Sequence, residues 1–223
     1  MVELAAVVVA AAALGQSAPV IPYPHPVISE VLYAVPRGVE ADPNGDGQSD
    51  AVFDEFVEVL NPHDRAIELK SYAIVDALGL EDPRDARAVV WVFPALTLGP
   101  GERAVVFNGR AGADPTVWGG PSGAARGKNP EFAGAWTFSM GNTSKGAAFG
   151  NGKDLCALRA PDGTVVDVLV WGKAEEVKAM TPQGALRAAE VKASPRCSLA
   201  RRDAWSAPEE HLRIDARLYS PGE

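Results

Sequence analysis

A short acidic segment carries the clearest chemistry in this sequence. Between residues 42 and 54, carboxylate and amide side chains stand at alternate positions, and a glycine follows the third of them. Ca²⁺ takes about six to eight oxygen ligands, and such a spacing on a tightly turned loop can supply them. We therefore predict a structural calcium site. Its expected ligands are Asp42, Asn44, Asp46, Gln48 (through its carbonyl), Asp50 and Asp54.

The segment departs from the EF-hand pattern at its closing ligand. That pattern places glutamate at the twelfth position of the loop, which here is Phe53, so Asp54 would have to close the site. Exposed turns also select Asp, Asn and Gly, because these residues tolerate left-handed backbone and bond their own main chain. An ordinary acidic turn therefore remains the alternative interpretation.

Acidic residues beside this segment could in principle support catalysis. Asp54, Glu55, Glu58 and His63 offer an acid, a base and a metal ligand near one strand. Side chains alternate across a strand, so Asp54 and Glu58 share one face while Glu55 lies on the other. The sequence contains no phosphate-binding loop, dinucleotide fingerprint or nucleophile elbow. We expect a protein without enzymatic activity.

Two tryptophans motivate an alternative function. Trp118 and Trp136 lie in or beside a Gly- and Pro-rich stretch, residues 109–134, where exposed rings could stack on sugars. Trp91 and Trp171 lie in apolar runs and are expected in the core. The alternative is a calcium-stabilised carbohydrate-binding module.

The N-terminus is typical of an exported protein. Residues 4–14 form an apolar run that is too short to span a bilayer but suits a secretory signal, although the preceding residues carry no positive charge. We expect a signal peptide over residues 1–18 and a proline-rich linker over residues 19–26. In a secreted or cell-surface protein, Cys156 and Cys197 could form one disulfide; two buried thiols are the alternative.

Composition favours an all-β protein. Eighteen prolines and 22 glycines separate short Val-rich runs, which indicates many strands and turns. We expect about eight or nine strands in two antiparallel sheets, forming one domain over residues 27–223. Residues 173–180 and 183–192 are rich in Ala, Glu and Lys, which predicts short helical turns between strands.

The charge distribution limits the partners. The formal net charge is −8, and the basic residues are scattered without a basic stripe. Nucleic acid and anionic membranes are therefore poor candidates. We expect a protein or glycan partner at the cell surface, and no membrane span after signal removal.

Several segments, taken in order, resemble the lamin tail domain family in its bacterial secreted form. They are residues 27–31 (VISEV), 54–61 (DEFVEVLN), 67–76 (IELKSYAIVD), 98–102 (LGPGE), 162–167 (DGTVVD) and 220–222 (SPG). Ser71 and Tyr72 replace the family's usual Gly-Trp. The resemblance implies an immunoglobulin-like β-sandwich without catalytic residues. Because members often accompany hydrolases, an accessory domain of a secreted hydrolase or nuclease system is a further alternative.

Overall fold

The computed structural model describes residues 19–36, 41–109, 116–121, 123–143, 149–192 and 196–223. The predicted signal peptide lies outside these residues. The described part contains fourteen strands, five of which have only two residues. The strands are β1 (Val27–Leu32), β2 (Phe56–Leu60), β3 (Ile67–Glu68), β4 (Ala73–Val75), β5 (Val90–Val92), β6 (Thr97–Leu98), β7 (Arg103–Phe107), β8 (Lys128–Asn129), β9 (Ala135–Ser139), β10 (Asp154–Arg159), β11 (Val165–Gly172), β12 (Arg187–Lys192), β13 (Leu199–Ala200) and β14 (Glu209–Glu210).

The strands form a sandwich of two large sheets. The first sheet has the order β14-β13-β1-β2-β7-β9-β8, and the second has the order β12-β11-β10-β4-β5. A separate small sheet pairs β3 with β6. Most pairs are antiparallel, but β7 pairs with β9 and β11 with β12 in parallel. The predicted all-β, immunoglobulin-like sandwich is confirmed.

Alternating apolar side chains build a core between the two sheets. Val57 and Val59 of β2 face this core, and Leu169 and Trp171 of β11 face it from the second sheet. The ring of Trp171 stacks on Tyr33 with centroids 4.2 Å apart. Burial of such side chains contributes about 1.5–3 kcal/mol each, so this layer is the main source of stability.

The outer faces of both sheets are covered as well. Phe56 and Phe107 on the first sheet pack with Trp118 and Phe132 in a second apolar cluster. On the second sheet, a third cluster includes Val177 from helix α2 (Ala174–Met180). Helix α1 (Ala77–Glu81) starts at Asp76, whose carboxylate accepts a 2.6 Å hydrogen bond from the backbone N–H of Gly79. The central strands β2, β7, β10 and β11 are therefore largely buried on both faces.

Two sequence predictions need correction, and a third, left open between a disulfide and two thiols, is decided. Residues 183–192 do not form a helical turn, because β12 adds to the edge of β11. The predicted linker belongs to the domain: Ile21 is fully buried in the main core, and the Tyr23 hydroxyl donates to the Ala66 carbonyl. Cys156 and Cys197 are both buried free thiols rather than a disulfide.

One buried carboxylate joins the two sheets. Asp167 of β11 accepts a hydrogen bond from the backbone N–H of Ile28 in β1, at 2.8 Å. Its two oxygens also accept bonds from Arg187, at 2.8 and 2.5 Å, and the guanidinium of Arg201 lies 3.4 Å away. All three charged side chains are at most 1% exposed. This cluster ties strands of both sheets to the C-terminal segment.

Asp167→Asn should destabilise the protein strongly, because it leaves two buried guanidinium groups without their anion. Breaking a buried ion pair from one side costs about 3–5 kcal/mol, and urea unfolding should show a loss of free energy in that range. Asp85→Asn is the matched control, since its pair with Arg87 lies on the surface, and it should leave the unfolding midpoint unchanged. A loss for Asp167→Asn no larger than the control's would contradict the assigned role.

Candidate functional site

The acidic segment predicted from the sequence forms a tightly hydrogen-bonded loop. Asp42 accepts from the backbone N–H groups of Asp46 at 3.1 Å and Gly47 at 2.8 Å. Asn44 also accepts from Asp46 at 2.9 Å, and Asp46 accepts from Gln48 at 2.8 Å. Gly47 has a φ of 82°, a left-handed conformation that glycine adopts at low cost. The side-chain oxygens of the loop are thus hydrogen-bonded to its own backbone N–H groups.

Asp54 closes this loop from inside the protein. One of its oxygens accepts a 2.6 Å bond from the backbone N–H of Asp50, while the other is buried without a hydrogen-bond partner among the described residues. Burial, together with repulsion from Asp42, Asp46 and Asp50, raises the pKa of Asp54 to about 7. A buried anionic oxygen without a partner is unfavourable. The loop therefore holds a carboxylate that lacks a compensating charge.

Charged side chains do not by themselves form a metal site among the described residues. No group of three or more histidine, cysteine, aspartate and glutamate side chains in the described ranges is arranged to hold a metal ion. The predicted ligands Asn44 and Gln48 would contribute amide and main-chain oxygens instead, which calcium accepts. Asn44 is 1% exposed and its amide nitrogen is unpartnered within the described part of the chain.

Two buried glutamates hold the C-terminal segment against the first sheet. Glu30 of β1 accepts bonds from the Ser198 hydroxyl at 2.5 Å and from the Ser220 N–H at 3.0 Å. Glu58 of β2 accepts from the Gly222 N–H at 2.7 Å and from Arg103 at 3.0 Å. Burial, with repulsion from Glu30, raises the pKa of Glu58 to about 7. These acids fasten the chain end to the sandwich.

The acids and histidine considered for catalysis do not meet in one site. Glu58 is occupied as described, and Glu55 accepts a 3.1 Å bond from the N–H of Phe149. His63 is bonded through Nε2 to the carbonyl of His25 at 2.8 Å. Each of these groups forms a hydrogen bond to a different part of the chain, and these bonds hold segments of the fold together.

The two tryptophans proposed as sugar platforms are not free rings. Trp118 is only 7% exposed and packs on Phe107 with centroids 5.2 Å apart. Trp136 is partly buried, and its indole N–H donates to Glu102 at 3.0 Å. The hypothesis of a sugar-stacking surface is therefore wrong for Trp118, whose ring packs in the apolar cluster on the first sheet. Trp136 is half-buried, and its bond to Glu102 holds the ring against the sheet.

Sequence reasoning missed an aromatic surface at the N-terminal end of the domain. Tyr23 is 43% exposed, and its ring makes an edge contact with His63, with centroids 5.5 Å apart. Tyr72 and His25 are joined by a 2.8 Å hydrogen bond. A cleft of about 490 Å³ opens beside these residues. The segment's proline content had suggested a linker and concealed this surface.

The fold and its internal polar contacts define an immunoglobulin-like β-sandwich module. The lamin tail domain family model matches residues 22–173, more than half of the chain, and the protein belongs to this family. Domains of this family are generally non-catalytic interaction modules. No curated protein matches the sequence. Among the described helices, none is long and apolar enough to cross a membrane.

The buried Glu55 should make stability depend on pH. Burial raises its pKa from 4.5 to about 9, so its stabilising contribution is complete below pH 4.5 and is lost as the pH rises towards 9. In that window one such group lowers the free energy of unfolding by up to about 1.4 kcal/mol per pH unit. Glu55→Gln, which cannot ionise, should therefore gain stability over the wild type as the pH rises.

Urea unfolding at pH 5, 7 and 9 measures this difference. Glu81→Gln serves as the control because Glu81 is exposed, and it should follow the wild-type curve. Parallel stability curves for Glu55→Gln and the wild type would show that the Glu55 carboxyl does not titrate with a raised pKa.

Proposed function

We propose that this protein is a non-catalytic binding module that acts outside the cytoplasm, in the manner of a bacterial secreted lamin tail domain. The buried acids Glu30, Glu58 and Asp167 support this proposal, because each accepts hydrogen bonds from backbone or arginine groups within the domain. Groups committed in this way stabilise the fold and are not available to a substrate. What the domain presents to a partner is its loops.

The N-terminal sequence supports the extracytoplasmic location. The apolar residues 4–14 fit a secretory signal, with a small-residue cleavage region ending near Gly15. A net charge of −8 fits a protein or glycan partner better than a polyanion.

We further propose that the loop from Asp42 to Asp54 binds one structural Ca²⁺ ion. Asp54 supports this proposal, since it has a buried, unpartnered oxygen and three neighbouring carboxylates that repel it. A divalent cation would attract all of these carboxylates, offset their mutual repulsion and give the unpartnered Asp54 oxygen a ligand bond. The ion would fix a long loop whose ordering otherwise reduces stability.

Calcium should raise the melting temperature of the full chain relative to chelator, because a ligand that binds only the folded state stabilises it. The increase should disappear in Asp46→Ala and in Asp54→Asn, and it should persist in Asp64→Asn, an exposed acid outside the loop. It should also be larger at pH 8 than at pH 5.5, where the raised pKa leaves Asp54 protonated. Equal melting temperatures with calcium and with chelator at pH 8 would show that the loop is an ordinary acidic turn that does not bind calcium.

Export can be tested separately from metal binding. Expressed in a bacterial host with its own N-terminus, the protein should appear in the extracytoplasmic fraction with a mass that lacks roughly the first 15–18 residues. Replacement of Val8 by Asp should interrupt the apolar run and leave the protein unprocessed inside the cell. A full-length wild-type protein confined to the cytoplasm would contradict the proposed location.

A further inference from the structure

The cleft beside Tyr23 is built from three parts of the chain. It is lined by the segment that carries Tyr23 and His25, by the stretch from Ala66 to Tyr72, and by the turn that joins β10 to β11. Its full lining is Tyr23, Pro24, His25, Ala66, Glu68, Lys70, Tyr72, Ala160, Pro161 and Asp162. At about 490 Å³, it falls within the range of about 300–1,000 Å³ that is usual for small-molecule sites.

Tyr23 presents a fixed aromatic surface to this cleft. Its hydroxyl donates to the Ala66 carbonyl at 3.1 Å, and the Arg65 guanidinium lies 4.0 Å from the ring centroid. Arg65 and His63 contact the ring but are not among the residues that line the cleft, and Tyr23 itself is 43% exposed. A ring that is already oriented loses little conformational entropy when a ligand stacks on it.

Polar groups surround this aromatic surface. The His25 imidazole and the Tyr72 hydroxyl are joined at 2.8 Å, and both interact electrostatically with the carboxylate of Asp162. Glu68 and Lys70 add a carboxylate and an ammonium group to the lining. Together these groups offer several hydrogen-bond donors and acceptors around an apolar face.

We infer that this cleft binds an uncharged glycan, through stacking of a sugar ring on Tyr23 and hydrogen bonds from its hydroxyls to Asp162, Glu68 and Tyr72. A sugar ring has an apolar C–H face and a rim of hydroxyls, which matches an aromatic surface bordered by polar groups. Two carboxylates against one ammonium disfavour an anionic ligand. This inference rests on the proposed role as an extracytoplasmic binding module and names its ligand class.

Native affinity electrophoresis of the full chain tests the inference. The probes are gels that contain dextran, mannan, a soluble β-glucan or a galactan, with dextran sulfate as the anionic comparison. At least one uncharged polysaccharide should retard the protein. Tyr23→Ala should weaken that binding at least tenfold and Asp162→Asn severalfold, while Leu212→Ala, another exposed apolar residue that does not line the cleft, should bind like the wild type.

Melting temperatures of the variants guard against misfolding, and only variants within a few degrees of the wild type are compared. Retardation by none of the uncharged polysaccharides, retardation by dextran sulfate alone, or equal retardation of wild type, Tyr23→Ala and Asp162→Asn would each overturn the inference. None of these results bears on export or calcium binding, which the experiments above test independently.

Discussion

The carboxylate of Asp167 is the constraint on which the arrangement of the two sheets depends. It is fully buried and accepts hydrogen bonds from the backbone N–H of Ile28 in one sheet and from Arg187 in the other. A charge in such a place is tolerated only when it is fully paired. Arg201 completes the cluster and also donates to the carbonyls of Ile28 and Ser206. The relative position of the sheets and the path of the C-terminal segment are therefore fixed together.

The acids of the family's signature segments extend the same principle. Glu30 and Glu58 stand on neighbouring strands, and both bind backbone N–H groups near the chain end, at Ser220 and Gly222. The family match ends at residue 173, yet these glutamates find their partners well beyond it. The C-terminal segment is thus an integral part of this domain. Glu58, one of the acids considered for catalysis, and Glu30 instead hold the C-terminal segment to the first sheet.

Local patterns predicted the strands that carry strong alternation and failed where tertiary contacts decide. β1, β2, β10 and β11 follow apolar runs that are visible in the sequence, whereas β12 is made of residues that favour helix. Its pairing with β11 and the ion pair from Arg187 override that preference. β9 follows directly after the Gly-rich stretch of residues 109–134, and its alternation at Trp136, Thr137 and Phe138 is a strand signal that the neighbouring glycines obscured.

The two candidate sites also differ in how far the sequence could predict them. The acidic loop is local, so its spacing alone located it, and only the burial of Asp54 required the structure. The cleft joins Tyr23 to Asp162, and no short window of sequence could bring residues so distant together. Its key aromatic residue also lies in a segment whose prolines suggested a linker.

Because both sheets are covered in part, the loops are the surfaces at which we expect a partner to bind. The outer face of the first sheet is closed by Trp118 and Phe132, and that of the second is packed by α2. Among the described residues, the covered parts of these faces offer no open platform, and the binding segments proposed above are the acidic loop and the cleft beside Tyr23. These segments lie outside the strands that Asp167 holds together. Substitutions there can therefore change the ligand while the sandwich is retained, which is how one fold supports different binding functions.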